Sequence, residues 1–179
     1  MANEALDQGS ISIPMSENKM KLNRSILFLL AVGWYGIVNA ESTWDQASAE
    51  PVVATEITVH RSPSCGCCGI WLDHLKKQGF VVNDIKTQDV NLVKQQYGVG
   101  AGLASCHTAL VEGYVIEGHV PAADIRKMLA EKPNIVGLSV PGMPHGTPGM
   151  EMSGRKQPFS VISFDKNGNQ EKYTEYLFY

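Results

Sequence analysis

The 179-residue sequence lacks a dominant charge: 15 Lys+Arg stand against 18 Asp+Glu, for a formal net charge of −3. That balance excludes the basic footprint expected of a nucleic-acid binder and gives no reason to expect an anionic surface as partner. No apolar run reaches the roughly 18–20 residues that a membrane-spanning helix needs. No Ser-His-Asp set, paired carboxylates or glycine-rich phosphate loop stands out, and there is no internal repeat and no low-complexity tract after the N-terminal region. Cysteine is sparse, at four residues, yet three of the four fall in Cys65-Gly66-Cys67-Cys68. The chain is read from that cluster outward.

The N-terminus does not belong to the folded part. From Met20 the sequence runs through Lys21 and Arg24 into the apolar stretch from Ile26 to Val38, and Val38-Asn39-Ala40 places small side chains at a cleavage site. This pattern is that of a secretory signal peptide over 20–40, cut after Ala40, rather than of an anchor, because the run is short and contains Gly33, Gly36 and Asn39. Residues 1–19 are an odd polar extension before it, with Met20 the expected true start. Removing residues 1–40 takes away Lys19, Lys21 and Arg24 with Glu4, Asp7 and Glu17, so the mature charge is unchanged. No membrane span remains after cleavage, and the mature chain is expected to be exported.

Export alters the reading of the thiols. An even cysteine count in an oxidising compartment ordinarily becomes disulfides. Three thiols crowded into one turn suit that default poorly, because structural disulfides staple distant segments. Cys65 and Cys68 therefore admit two readings, a disulfide and a pair of metal ligands, and the second is preferred given Cys67 and Cys106. Zinc is the rival metal, but Cys-x-Cys-Cys matches its usual paired spacings badly.

Residues 41–55 have a linker composition. Glu56 to His60 alternates as a first strand and stops at Pro63. Trp71, Leu72 and Leu75 then form a helical stripe ended by Gly79, which sets the cysteines on the first turn of a helix, where free N–H groups and the helix dipole favour thiolate. Phe80 to Ile85 is a second strand, and Asp89 caps a short helix through Tyr97. A glycine-rich loop leads to Ser105-Cys106-His107. Thr108 to Val111 and Tyr114 to Ile116 form a strand pair turning at Glu112-Gly113, and Pro121 opens a third helix closed by Pro133. Between Gly137 and Met152 prolines and glycines erase regular structure, while Met143, His145, Met150 and Met152 supply donors. Phe159 to Phe164 and Gln170 to Tyr176 make a C-terminal hairpin around Asp165-Lys166-Asn167-Gly168.

Strand, Cys-x-x-Cys at a helix start, strand, helix, hairpin, helix is the order of a thioredoxin-like α/β fold, here a central mixed sheet with flanking helices plus the C-terminal hairpin, occupying 56–179. On that resemblance Ser105-Cys106-His107-Thr108 falls where thioredoxins place a cis-proline facing the disulfide, and Cys106 and His107 would meet the first three thiols. The chain departs from thioredoxins in its extra Cys67 and in having His107 at the proline position.

Four separated motifs, Pro63-Ser64-Cys65-Gly66-Cys67-Cys68-Gly69, Ser105-Cys106-His107-Thr108, Gly113-Tyr114-Val115-Ile116-Glu117-Gly118-His119-Val120-Pro121 and Pro141-Gly142-Met143-Pro144, strongly resemble the CopG-type family of exported proteins associated with bacterial copper resistance. The resemblance spans about residues 56–178. It implies copper bound through the cysteines in a periplasmic detoxification system. Soft thiolates select Cu(I), with thioether and imidazole as acceptable additions. Four sulfurs exceed what one low-coordinate Cu(I) uses, so Cys65, Cys67, Cys68 and Cys106 are expected to bridge more than one ion.

The remaining donors carry open alternatives. His107 is a loop-holding hydrogen bonder or a ligand, His119 a cap or a ligand, and Met143, His145, Met150 and Met152 either pack a loop or form a copper lid. His60 and His74 are expected at the surface, and Trp71 in packing. The competing functional class is a thiol-disulfide oxidoreductase in which Cys65 attacks, Cys68 resolves and Cys106 assists. A structural module that binds a partner is a third. A binding protein is preferred to an enzyme, with copper ions and other periplasmic copper carriers or efflux components as partners.

Overall fold

A computed structural model describes residues 42–46 and 53–179, all within one unit, Ala40–Tyr179. The extension 1–19, the signal segment 20–40 and its cleavage site lie outside the described residues. Among the described residues no helix is long and apolar enough to cross a membrane.

Strand β1 (Thr55–Arg61) points Ile57 and Val59 into the core by simple alternation. Helix α1 (Gly66–Lys77) then crosses over to β2 (Phe80–Lys86), which pairs parallel with β1. Helix α2 (Val90–Gln96) leads to β3 (His107–Val111), antiparallel to β1 with Arg61 opposite His107. The hairpin to β4 (Tyr114–Glu117) turns at Glu112 and Gly113, with φ 46° and 85°, the two left-handed residues of a tight hairpin whose twist suits its strands. Helix α3 (Ala122–Glu131) returns the chain to β5 (Gly137–Ser139), parallel to β4, and β6 (Phe159–Phe164) and β7 (Gln170–Tyr176) follow antiparallel. The sheet order is β2-β1-β3-β4-β5-β6-β7. This is the mixed α/β sheet with flanking helices and C-terminal hairpin expected from the sequence.

Val115 and Ile116 are neighbours in β4 but belong to different core clusters, so the clusters lie on opposite faces. The larger contains Trp71, Leu72 and Leu75 of α1 with Ile125 and Met128 of α3. The smaller gathers Val99, Leu103, Val115 and Phe164.

Three expectations change. Gly137–Ser139, read as patternless, is a strand between β4 and β6. Three residues are too few to show a period, and Gly137 is there because a Cβ would fall 1.8 Å from the Val115 carbonyl oxygen. Residues 42–46, inside the expected linker, are docked: Trp44 packs against Phe159, Tyr176 and Tyr179, and its Nε1–H donates to the Gly146 carbonyl at 2.7 Å. His74, expected at the surface, is buried. Its Nε2 accepts the Ala122 N–H at 3.2 Å, satisfying an otherwise orphaned donor in the first turn of α3, so its Nδ1–H faces Asp45 at 3.0 Å. Asp45 lies 29 positions upstream, a pairing that no helical period reveals.

Candidate metal centre

The cysteine cluster sits where β1 ends and α1 begins. Arg61, the last residue of β1, forms a two-pronged pair with Asp84 of β2, both bonds at 2.8 Å, and its Nη1 donates to the Cys65 carbonyl at 3.2 Å. Cys65 also donates its N–H to Ser62 and occupies the N-cap position of α1. Cys67 and Cys68 follow on the first turn, near the unpaired N–H groups of the helix start.

Cys106 enters from the loop between the 3-10 turn Ala101–Leu103 and β3. One ligand atom from each of Cys65, Cys67, Cys68 and Cys106 lies within 4.8 Å of the others. A second group, equally tight, joins Cys106 to His107 and His119, so Cys106 belongs to both. Its sulfur is 3.3 Å from His107 Nδ1 and 3.1 Å from His119 Nε2.

Proton accounting orders these contacts. His119 Nδ1 is 2.7 Å from the Pro148 carbonyl, which only accepts, so Nδ1 carries the hydrogen and Nε2 turns a lone pair toward Cys106. The thiol proton serves that lone pair. His107 then offers Nδ1–H to the same sulfur, leaving its buried Nε2 without a hydrogen-bond partner. Burial holds the pKa of both imidazoles below the usual histidine value, His107 well below it, with the neighbouring His119 adding to the effect there. Neutral imidazole is the form that can ligate a metal. Burial, with Cys67 beside it, pushes the Cys106 thiol up to about 12, and a bound cation would replace that proton.

Cys65 and Cys68 are joined in a disulfide, with Cα atoms 5.4 Å apart, while Cys67 and Cys106 are free. The sequence reading preferred a metal-ligand role for this pair. Four thiolates are available together only after that bond is reduced. Cys65 Sγ and Cys67 Sγ are 3.6 Å apart; Cys65 is half-buried and Cys68 fully buried.

The loop after β5 also acts through its backbone. Gly149, at φ 85°, packs so closely on α1 that a Cβ would lie 2.8 Å from Trp71 N and 2.9 Å from the Cys67 carbonyl oxygen. The loop thereby delivers the Pro148 carbonyl to His119. His145 lies outside both donor groups, its Nδ1 3.2 Å from Ser153 Oγ. Met143 and Met152 are exposed and Met150 is half-buried. His60, expected at the surface, is half-buried in β1 and lies outside the donor groups.

Sequence reasoning missed Pro148, whose backbone acts rather than its side chain, and Glu117 and Lys94, a buried ion pair at 2.5 Å next to the Cys106 loop. A carboxylate directly after the apolar run Tyr114-Val115-Ile116 was the available signal, since buried charges are almost always paired.

A family model described as "Protein of unknown function, DUF411" matches residues 103–150. No curated protein matches the chain. Two solved structures, "Copper resistance protein copG- Form 2" and "Copper resistance protein copG- Form 1", are each 44% identical with a TM-score of 0.66. They cover 69% and 70% of this chain, and 99% and 100% of their own chains. With nearly the whole of those relatives matched and the cysteine and histidine motifs gathered at one site, the chain belongs to the CopG family of copper resistance proteins.

Proposed function

We propose that the protein is an exported copper-binding protein of a copper-resistance system, taking up Cu(I) at Cys65, Cys67, Cys68 and Cys106. The observation that carries this reading is the shared position of Cys106 in two donor groups, one of four sulfurs and one with two imidazoles. Thiolate sulfur and neutral imidazole are soft to borderline donors that suit Cu(I) and not a hard cation. The printed names of the relatives point to the same metal.

Two overlapping donor groups suit more than one ion, with Cys106 as the bridge and His107 and His119 completing the coordination. Adjacent Cys67 and Cys68 are accommodated by bridging, since each need not serve the same ion. The mature chain starts near Glu41 in the periplasm and passes copper to other carriers or efflux components there. Met143, Met150, Met152 and His145 serve as outer contacts at most.

The testing experiment is anaerobic titration of the fully reduced protein with Cu(I), followed by metal analysis and the thiolate-to-copper ultraviolet band. Retention of more than one copper per chain, lost in Cys106→Ser, supports the reading. Failure of the reduced chain to retain copper overturns it.

A second reading, thiol-disulfide exchange, is favoured by the Cys65–Cys68 disulfide with its half-buried first sulfur and buried second one. A partner thiolate would attack Cys65 Sγ, forming a mixed disulfide and releasing Cys68 as thiolate. A second partner thiol, after losing its proton, would then displace Cys65. The partner leaves oxidised by two electrons, and the Cys65/Cys68 pair is left as the dithiol. Oxidation of a dithiol peptide to its disulfide by the metal-free, disulfide-bonded protein, retained in Cys106→Ser, would select this reading.

A further inference from the structure

We propose that the buried Lys94–Glu117 pair is the device that positions Cys106 against the two imidazoles. The proposal rests on reading the Cys106 group as a copper site. Glu117 is fully buried at the end of β4 and uses both carboxylate oxygens. One accepts the Ser105 N–H at 2.6 Å and the Lys94 ammonium at 2.5 Å; the other accepts the Thr108 hydroxyl at 2.7 Å. A single side chain thus grips the residues on both sides of Cys106-His107. Lys94 closes the arrangement with a 3.1 Å bond to Thr108 Oγ1.

The next two residues continue the grip. Gly118 donates its N–H to the His107 carbonyl at 3.1 Å and approaches Ser105 so closely that a Cβ would lie 2.5 Å from the Ser105 side chain. His119 follows directly. The Cys106 loop and the His119 backbone are therefore fixed to each other through one strand end, with Glu117 at its centre.

Stability alone gives little reason for this pair. Removing two charges from water is costly, and well-packed apolar replacements for buried ion pairs are often as stable or more so. What an apolar residue cannot do is accept the Ser105 N–H and the Thr108 hydroxyl at once.

The test compares two double variants of the purified chain, each removing both charges so that neither is left unpaired. Lys94→Met with Glu117→Leu removes the acceptors; Lys94→Met with Glu117→Gln keeps one. The metal-free readout is the rate at which iodoacetamide alkylates Cys106 in the reduced protein, and the metal readout is Cu(I) retention against a chelator. We expect the Leu double to show faster Cys106 alkylation and Cu(I) affinity lower by about tenfold or more, the range for supporting contacts around metal ligands, while the Gln double recovers most of both.

Equal behaviour of the two doubles, or a Leu double that matches the unaltered chain, overturns the proposal. If the unaltered chain retains no copper, the copper reading fails while the alkylation comparison still decides the positioning role. Should the Leu double not fold, amide hydrogen exchange in the unaltered chain decides: protection of the Ser105 N–H at the level of the β3–β4 ladder supports the grip, and rapid exchange sinks it.

Discussion

His119 Nε2 stands 3.1 Å from the Cys106 sulfur while its other ring nitrogen is tied to the Pro148 carbonyl at 2.7 Å. A histidine held in this way has its tautomer and ring plane set before any ligand arrives.

Replacing His119 with Ala should therefore weaken retention of copper by about 10- to 100-fold, the scale seen when groups that orient or complete a metal site are lost. Chelator competition measures it, with circular dichroism confirming that the fold survives. Unchanged retention would mean that His119 holds the loop and nothing more.

The disulfide makes a direct chemical prediction. Denatured without reductant, the chain should take up iodoacetamide at Cys67 and Cys106 only; after reduction all four cysteines should react. Peptide mass spectrometry reads this out. Four modified cysteines without reductant would show that Cys65 and Cys68 are not paired in the purified protein.

Gly137→Ala should destabilise the fold by more than about 2 kcal/mol, because its Cβ cannot coexist with the Val115 carbonyl oxygen 1.8 Å away and β5 must leave β4. Urea unfolding gives the difference. A loss below about 0.5 kcal/mol, the usual effect of a substitution in open surroundings, would contradict the close β4–β5 approach.

Trp44→Ala should cost about 2 kcal/mol, less than a fully buried tryptophan because the ring is half-buried among Phe159, Tyr176 and Tyr179. The same unfolding experiment applies. A neutral result would return residues 42–46 to the status of a free lead-in.

Acid should destabilise the protein through its buried histidines. Burial lowers the pKa of His74, His107 and His119 in the folded chain, while the unfolded chain keeps the ordinary value of 6.5. Between the folded and unfolded pKa values the unfolded state binds more protons, so stability is full above 6.5 and falls as pH drops below it. Asp45, whose pKa Lys77 and His74 lower against the opposing effect of its burial, acts in the same direction at lower pH. His74→Gln should make the unfolding free energy less steep between about pH 7 and 5. An unchanged slope would show that His74 is not buried as a neutral ring.

Local sequence was enough to mark most of the elements and to single out the cysteines. Alternation marked β1, Gly79 and Pro133 marked helix ends, and Glu112-Gly113 and Asp165-Lys166-Asn167-Gly168 marked hairpins, because each signal is a property of a few consecutive residues. Cys-x-Cys-Cys at a helix start pointed to thiolate chemistry for the same reason.

Tertiary structure decided everything that depends on distant partners. The short β5 exists only because two strands flank it. His74 is buried where Asp45 and Ala122 meet it from 29 positions before and 48 positions after it. Which imidazole nitrogen faces Cys106 depends on a backbone carbonyl at Pro148, and any side chain in that loop leaves such a carbonyl invisible in sequence. The Cys65–Cys68 bond is likewise a choice among four thiols, which spacing narrows and three-dimensional proximity, together with redox state, resolves.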